Sequence, residues 1–283
     1  MVLISTMLML IKLLGDRGVS GPEVMFWRQA FAVPLLLAWL GATGGLGKLR
    51  TARMGSHAGR AMAGTLGLFC SVTSAMLLPL AEATTLGFST PLFAVLITAV
   101  VLRKRVGPWR WTAVALGFIG VLIIADPGHE AVSPLGVAAG LAASLVISIV
   151  TFQIRDLART EEPVSCVFWF AVYGAIIMGV LMPMYYQPHN LEEWGLLLAL
   201  GGTGTMSQLL VTASLRYGQV ATVVAMDYTA LIWSTMYGWL FWDLLPTSAA
   251  WLGAPAIVAA GMIIMWREHK LYKASTPPLA HEN

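Results

Sequence analysis

The sequence predicts an all-α membrane protein with about ten transmembrane helices arranged as two inverted five-helix repeats. Three observations lead there. First, of 283 residues 58% are hydrophobic and only 11% charged, with a mean hydropathy of +0.76, whereas a soluble domain keeps roughly 25% charged residues to wet its surface. Most of this chain's surface must therefore face lipid. Second, apolar runs bounded by charges, Pro and Gly recur along the whole chain. A hydrocarbon core about 30 Å thick takes about 20 residues of helix at about 1.5 Å each. The runs are too long for barrel strands, and an open strand cannot satisfy its backbone in lipid. Third, a set of short sequence matches recurs in the same order about 140 residues apart.

The runs are 1–14, 23–41, 59–80, 84–102, 109–126, 134–155, 163–185, 193–215, 219–242 and 248–266. The first is short, since fourteen residues make about 21 Å of helix, and Lys12 lies close to its end. The second carries Phe26-Trp27-Arg28 near its start. The third holds Cys70 and Ser71. The fourth follows Glu82, where a solvated carboxylate at a helix start is the default, and contains Pro91, which removes a backbone hydrogen bond and should bend it. The fifth carries Gly117 and Gly120. The sixth opens with Gly136-Val-Ala-Ala-Gly140, a small-residue pattern that fits a tight crossing within the chain and a homodimer contact equally well; Gln153 lies further along. The seventh contains Cys166, Trp169 and Tyr173. In the eighth, Gly201-Gly202-Thr203-Gly204 is not a phosphate loop, because no Lys-Ser/Thr follows it; it marks a soft point, with Gln208 beyond. The ninth holds Asp227, Trp233, Tyr237 and Trp242, and the tenth holds Gly261.

Domain organisation follows as one repeat over 1–126, a second over 134–266 and a tail over 267–283. No length remains for a soluble domain. The net charge of +3 is small and scattered, which argues against nucleic acid. The two cysteines fall in apolar runs and read as packing residues. The histidines at 57, 129, 189, 269 and 281 lie in expected loops or the tail, and no metal-ligand spacing or cofactor motif is expected. The N-terminus lacks a basic n-region and a small-residue cleavage site, so no signal peptide is expected.

Orientation comes from Lys and Arg. With the N-terminus inside, all of the 17 Lys and Arg residues fall on the cytoplasmic side except Lys12, Arg17 and Arg28. Both termini are thus expected in the cytoplasm. The repeat points the same way. Leu102-Arg103-Lys104-Arg105, Pro108-Trp109 and Gly120-Val121-Leu122-Ile123-Ile124 are matched by Phe241-Trp242-Asp243-Leu244, Pro246 and Gly261-Met262-Ile263-Ile264. Phe26-Trp27 is matched by Phe168-Trp169. Five helices per half is an odd number, so the halves insert with opposite orientation, an arrangement found in secondary transporters with a midplane site between repeats.

At these residues the chain resembles the EamA-type drug/metabolite transporters. The resemblance rests on Lys12, Phe26-Trp27-Arg28, the run from Ala83-Thr84-Thr85 through Pro91 to Leu102, Gly117 with Gly120, and Phe241-Trp242-Asp243 with Pro246. It covers essentially the whole chain. It implies two five-helix halves, both termini inside a bacterial inner membrane, and movement of amino acids, nucleoside-like metabolites, vitamins or drugs in either direction. One departure is Lys104, where the family usually has an acidic residue; its counterpart Asp243 is acidic but not Glu. Both lie at an interface, which points to packing or topology rather than transport.

Polar groups within the apolar runs are the candidates for function, because each is costly there. Asp227, eight residues into the ninth run, is placed near the midplane. It reads either as a proton-coupling or cation-binding carboxylate, or as a packing residue bonded to hydroxyls or to Arg28. Arg28 is a candidate for a substrate carboxylate or phosphate through its planar fork, with snorkelling to headgroups as the alternative; the same alternatives apply to Lys12. Trp169 and Tyr173, and likewise Trp233 and Tyr237, stand at i and i+4, as walls of an aromatic pocket or as ordinary helix contacts. Gln208, with Gln153 and Ser71, lines a polar cavity or bridges helices. Pro91 and Gly202 are hinge candidates. The reading is a secondary transporter of a small organic solute, working by alternating access and drawing on proton or solute gradients. An intramembrane enzyme would need a nucleophile–base pair that the runs lack, and a receptor or scaffold has no need of two pseudo-symmetric halves.

Overall fold

The structure, a computed structural model, describes residues 1–101, 103, 106–125, 133–217 and 226–275. Lys104, His129, the opening of the ninth run at 219–225 and the end of the tail at 276–283 lie outside the described residues. The described chain is helical and contains no strand. Its helices are α1 (Val2–Asp16), α2 (Gly21–Ala42), α3 (Met54–Leu77), α4 (Leu80–Gly87), α5 (Thr90–Val100), α6 (Pro108–Ala125), α7 (Pro134–Leu157), α8 (Pro163–Gly179), α9 (Met182–Tyr185), α10 (Leu191–Tyr217), α11 (Thr229–Trp242) and α12 (Ser248–Ser275). Among the described residues seven helical segments are long and apolar enough to cross a membrane, one of them Leu80–Val100 counted across α4 and α5, and α8 is a shorter apolar helix.

Local chemistry explains the breaks. Between α4 and α5 the helix stops at Phe88 and Ser89, where Ser89 Oγ donates to Leu86 O at 2.6 Å. Pro91 then sits in the first turn of α5, where its missing N–H costs nothing. The fourth run is therefore interrupted rather than bent. The seventh run ends at Gly179, and Pro183 opens the separate turn α9. In the third run α3 begins at Met54, not 59, which carries Arg60 further inside the helix. At the end of α11, Asp243 adopts φ 53°, a left-handed cap that Asp tolerates, with Leu244 N donating to Gly238 O at 3.1 Å.

The helices alternate in direction between two ends of the bundle, here called the Asp16 end and the Arg53 end. The main packings are α6 on α12, α3 on α7, α2 on α8 and α10, α1 on α10 and α11, α3 on α8, α4 on α11, and α4 and α5 on α7. Lipid tails are as apolar as the helices, so close backbone approach drives association more than apolar burial does. Glycines supply it. A Cβ on Gly120 would stand 2.7 Å from Gly253 O, and one on Gly253 would stand 2.5 Å from Gly120 O, so α6 and α12 cross backbone to backbone. Gly136 and Gly140 of α7 press on Leu77, Leu78, Ser74 and Leu86, a crossing within the chain. Large apolar side chains such as Leu122, Val180, Leu210, Ile232 and Trp251 face outward, while Ser5, Arg28, Gln29, His57, Arg60 and Glu82 are buried. That inside-out distribution, with the spans, is that of an integral multi-pass membrane protein.

Candidate functional site

Arg28 lies on α2, nearer the Asp16 end, and is 4% exposed. Its Nε donates to Met7 Sδ at 3.3 Å and its Nη1 to Gln29 Oε1 at 3.0 Å. Thioether sulfur is a weak acceptor. With Gln29, Ala32, Val167, Phe170, Ala171, Gly204, Thr205 and Gln208 it lines a narrow, partly open crevice between α2, α8 and α10. Arg60 lies on α3, nearer the Arg53 end, is 1% exposed and has its guanidinium carbon 3.8 Å from the centroid of the Phe170 ring. Among the described residues neither guanidinium is in an ion pair, and Arg60 Nε and Nη1, with Gln29 Nε2, are buried without a hydrogen-bond partner.

Three glycines make room for this group. A Cβ on Gly204 would meet Arg28 Nε at 2.8 Å, one on Gly174 would meet Gln29 Nε2 at 2.4 Å, and one on Gly64 would meet Phe170 Cε2 at 2.8 Å and Arg60 Nη1 at 3.3 Å. Taking an ion out of water without a counter-ion costs several kcal/mol, about 3–5 when a partner has been removed. A desolvated cation–π contact returns about 2 kcal/mol or more, which offsets only part of that. The crevice is thus rich in donors and short of negative charge.

The other candidates lie elsewhere. Lys12 Nζ donates to Leu78 O at 2.9 Å, so it is held inside rather than snorkelling. It lines a second crevice at the Asp16 end with Glu82, Ser234 and Trp242. Glu82 is not the solvated helix-start carboxylate expected: it is fully buried and accepts from Thr247 N at 2.9 Å, because α4 starts inside the bundle. Asp227 is half-buried two residues ahead of α11. It is not bonded to Arg28, whose hydrogen bonds go to Met7 and Gln29. Next to it, Tyr228 packs edge-on against Phe88 at 5.0 Å, and its hydroxyl occupies the space a Cβ on Gly261 would need.

The aromatic pairs do not meet as one pocket. Trp169 Nε1 donates to Leu49 O at 3.0 Å, and Tyr173 faces Met54, both toward the connection at the Arg53 end. Tyr237 shares a hydrogen bond of 2.9 Å with Thr6 on α1. The reason is topological: α8 packs on α2, α3 and α10, and α11 packs on α1 and α4. Trp233 is half-buried on α11. Gln208 lies in the arginine crevice. Gly202 meets nothing within 4 Å, on a helix that runs unbroken through it.

Each end is clasped. At the Asp16 end, Trp242 Nε1 donates to Asp16 at 2.5 Å, Arg17 to Glu192 at 2.6 Å, and buried His189 meets Glu23 at 2.8 Å. At the Arg53 end, Arg53 pairs with Asp156, Thr51 donates to Glu161 at 2.7 Å, and Arg216 Nη1 donates to Glu161 O at 2.9 Å. Sequence reasoning missed Arg60, Gln29, Phe170 and the Glu23–His189 pair. The spacing of Arg60 and Gly64, a cation with a small residue one turn on, was the available signal for the first.

Comparison with known proteins gives a consistent picture. The model of the EamA-like transporter family matches residues 1–125 and again 134–266. A pseudopaline exporter of Pseudomonas aeruginosa is 26% identical over 241 residues, 84% of each chain. A riboflavin transporter of Rhizobium johnstonii is 29% identical over 246 residues, 86% of this chain and 80% of that one. An S-adenosylmethionine uptake transporter of Rickettsia bellii is 25% identical over 264 residues, covering 92% and 88%. A solved crystal structure superposes with a TM-score of 0.64 at 19% identity, covering 95% of this chain and 97% of the other, which is a likeness of fold.

Proposed function

The chain belongs to the EamA-like transporter family, and from that premise we propose that it is a ten-helix secondary transporter carrying a small organic metabolite by alternating access, not an enzyme. The observation that carries this reading is a mirror in the helix packing. Let α1, α2, α3, α4 with α5, and α6 correspond to α7, α8, α10, α11 and α12. Then α3 on α7 is mirrored by α10 on α1, α2 on α10 by α8 on α3, and α1 on α11 by α7 on α4. The pairs α2–α8, α4–α11 and α6–α12 map onto themselves.

The mirror reaches single residues. Arg28 follows Phe26-Trp27 and packs on Gly204 of α10; Phe170 follows Phe168-Trp169 and packs on Gly64 of α3. Two such halves, residues 1–126 and 134–266, give a site between them that can face either side. Among the described residues, Lys and Arg other than Lys12, Arg17, Arg28 and Arg60 gather at the Arg53 end, which the positive-inside rule makes cytoplasmic together with both termini and the tail from 267. The relatives are named for export and for uptake, and a small organic solute is common to them.

In this reading Arg28 and Gln208 contact the solute, and Lys12 lines the approach at the Asp16 end. Trp169, Tyr173, Trp233 and Tyr237 flank the route at the two ends. The helix break ahead of Pro91 and the glycine at 202 supply hinge points, and Asp227 carries the coupling proton. The test is uptake into proteoliposomes with and without an imposed pH gradient, using riboflavin, S-adenosylmethionine and amino acids, on wild type and Asp227→Asn. Uptake above empty vesicles is expected, with its response to the gradient lost in the variant. Folded protein that moves none of them contradicts transport of these classes, and an unchanged pH response in Asp227→Asn removes the coupling role.

A further inference from the structure

We propose that the transported solute is an organic anion whose carboxylate or phosphate oxygens are held by two guanidinium stations, Arg28 nearer the Asp16 end and Arg60 nearer the Arg53 end, with Phe170 between them. The proposal rests on the transport reading and adds the substrate's charge. Its first support is the missing negative charge: both side chains are almost wholly buried, and neither is in an ion pair among the described residues. Arg60 Nε and Nη1, Gln29 Nε2, Thr65 Oγ1 and Ser165 Oγ are all buried without partners. Most of these are donors, and they lie on α2, α3 and α8, the helices that carry the two arginines and Phe170. An oxyanion satisfies several at once, and a guanidinium fork matches it with two parallel bonds.

The second support is that the room is built. Gly204 clears Arg28, Gly174 clears Gln29, and Gly64 clears both Phe170 and Arg60, so each of the polar side chains named sits where a neighbouring Cβ is missing. The third is position. Arg28 lies seven residues into α2 from the Asp16 end, and Arg60 six residues into α3 from the Arg53 end, about 10.5 and about 9 Å of helix. One guanidinium is therefore nearer to each mouth of the bundle. Phe170 lines the Arg28 crevice and carries Arg60 against its ring, so a shift of that ring joins or separates the stations. Burial inside the bundle keeps both guanidinium groups from lipid phosphates.

The experiment compares acids with their neutral partners on purified full-length protein: glutamate with glutamine, benzoate with benzamide, riboflavin 5′-phosphate with riboflavin. Ligand-induced thermal stabilisation and counterflow in proteoliposomes are both read. At least one acid should bind wild type more tightly than its neutral partner. Arg28→Gln and Arg60→Gln should each lower that preference about ten- to hundredfold, the scale of a lost charge-assisted hydrogen bond. Arg28→Lys and Arg60→Lys, which keep the charge and lose the fork, serve where the Gln variants do not fold. A wild type that distinguishes no acid from its partner overturns the anion site, as does a preference that survives both arginine substitutions. Counterflow of neutral compounds without acid preference would overturn the site and leave transport standing; acid-selective binding without counterflow would do the reverse.

Discussion

Gly204 and Gly202 are two residues apart on α10 and face opposite demands. A Cβ at 204 would stand 2.8 Å from Arg28 Nε and 3.1 Å from its Cγ, whereas one at 202 meets nothing within 4 Å. Overpacking costs about 1–3 kcal/mol, while an unobstructed Gly→Ala in a helix returns up to about 1 kcal/mol. Gly204→Ala should therefore displace the guanidinium and reduce uptake while the protein stays folded. Gly202→Ala should raise the melting temperature. If its uptake rate also falls, bending at 202 matters; an unchanged rate removes Gly202 as a hinge. These residues also mark what the sequence could carry at this scale. Arg28 and Lys12 stand out as charges in apolar runs. Arg60 does not, because as the second residue of the run 59–80 it counts with the cytoplasmic Lys and Arg until α3 is seen to begin at Met54 and to carry it a turn and a half inside. Hydropathy cannot tell a solvated basic turn from one folded into a bundle.

At the scale of elements, helix pairs are held by shape more than by apolar burial, and α6 on α12 is the clearest case. A side chain on Gly253 would strike Gly120 O at 2.5 Å and Ile124 Cγ1 at 2.6 Å. Backbone cannot yield as a flexible side chain does, so Gly253→Val should separate the helices and lower the melting temperature in detergent. Gly41→Ala, with nothing within 4 Å, serves as the control. Equal melting temperatures for the two variants would show that the crossing contributes nothing. Most apolar runs were legible because lipid demands length and hydropathy. The interruption at Phe88–Ser89 was only half legible: Pro91 announces a disturbance, but whether the helix bends or stops depends on Ser89 capping Leu86 O. The separation of the two aromatic pairs was not legible, since spacing within a helix says nothing about which neighbours its faces meet.

For the whole molecule, both ends are clasped at once and the crevice between them is small, as an occluded intermediate of alternating access would be. Either clasp can then be weakened to shift the population toward opening at that end. An exposed ion pair contributes about 0.2–1 kcal/mol, so loss of one changes an open population by about 1.4- to fivefold. Cys166 is a native reporter: it is fully buried on α8, three residues in from Pro163 at the Arg53 end. In a Cys70→Ser background, Arg53→Ala removes the pair with Asp156 and the hydrogen bond to Thr160. A membrane-impermeant maleimide should then label Cys166 faster from that face, by up to about fivefold. Glu23→Gln loosens the buried contact with His189 at the other end and should slow the same labelling if, as alternating access requires, states open at the Asp16 end keep the Arg53 end shut. If both variants speed labelling alike, the reagent is following general loosening of the bundle, and the two clasps do not act as opposed gates.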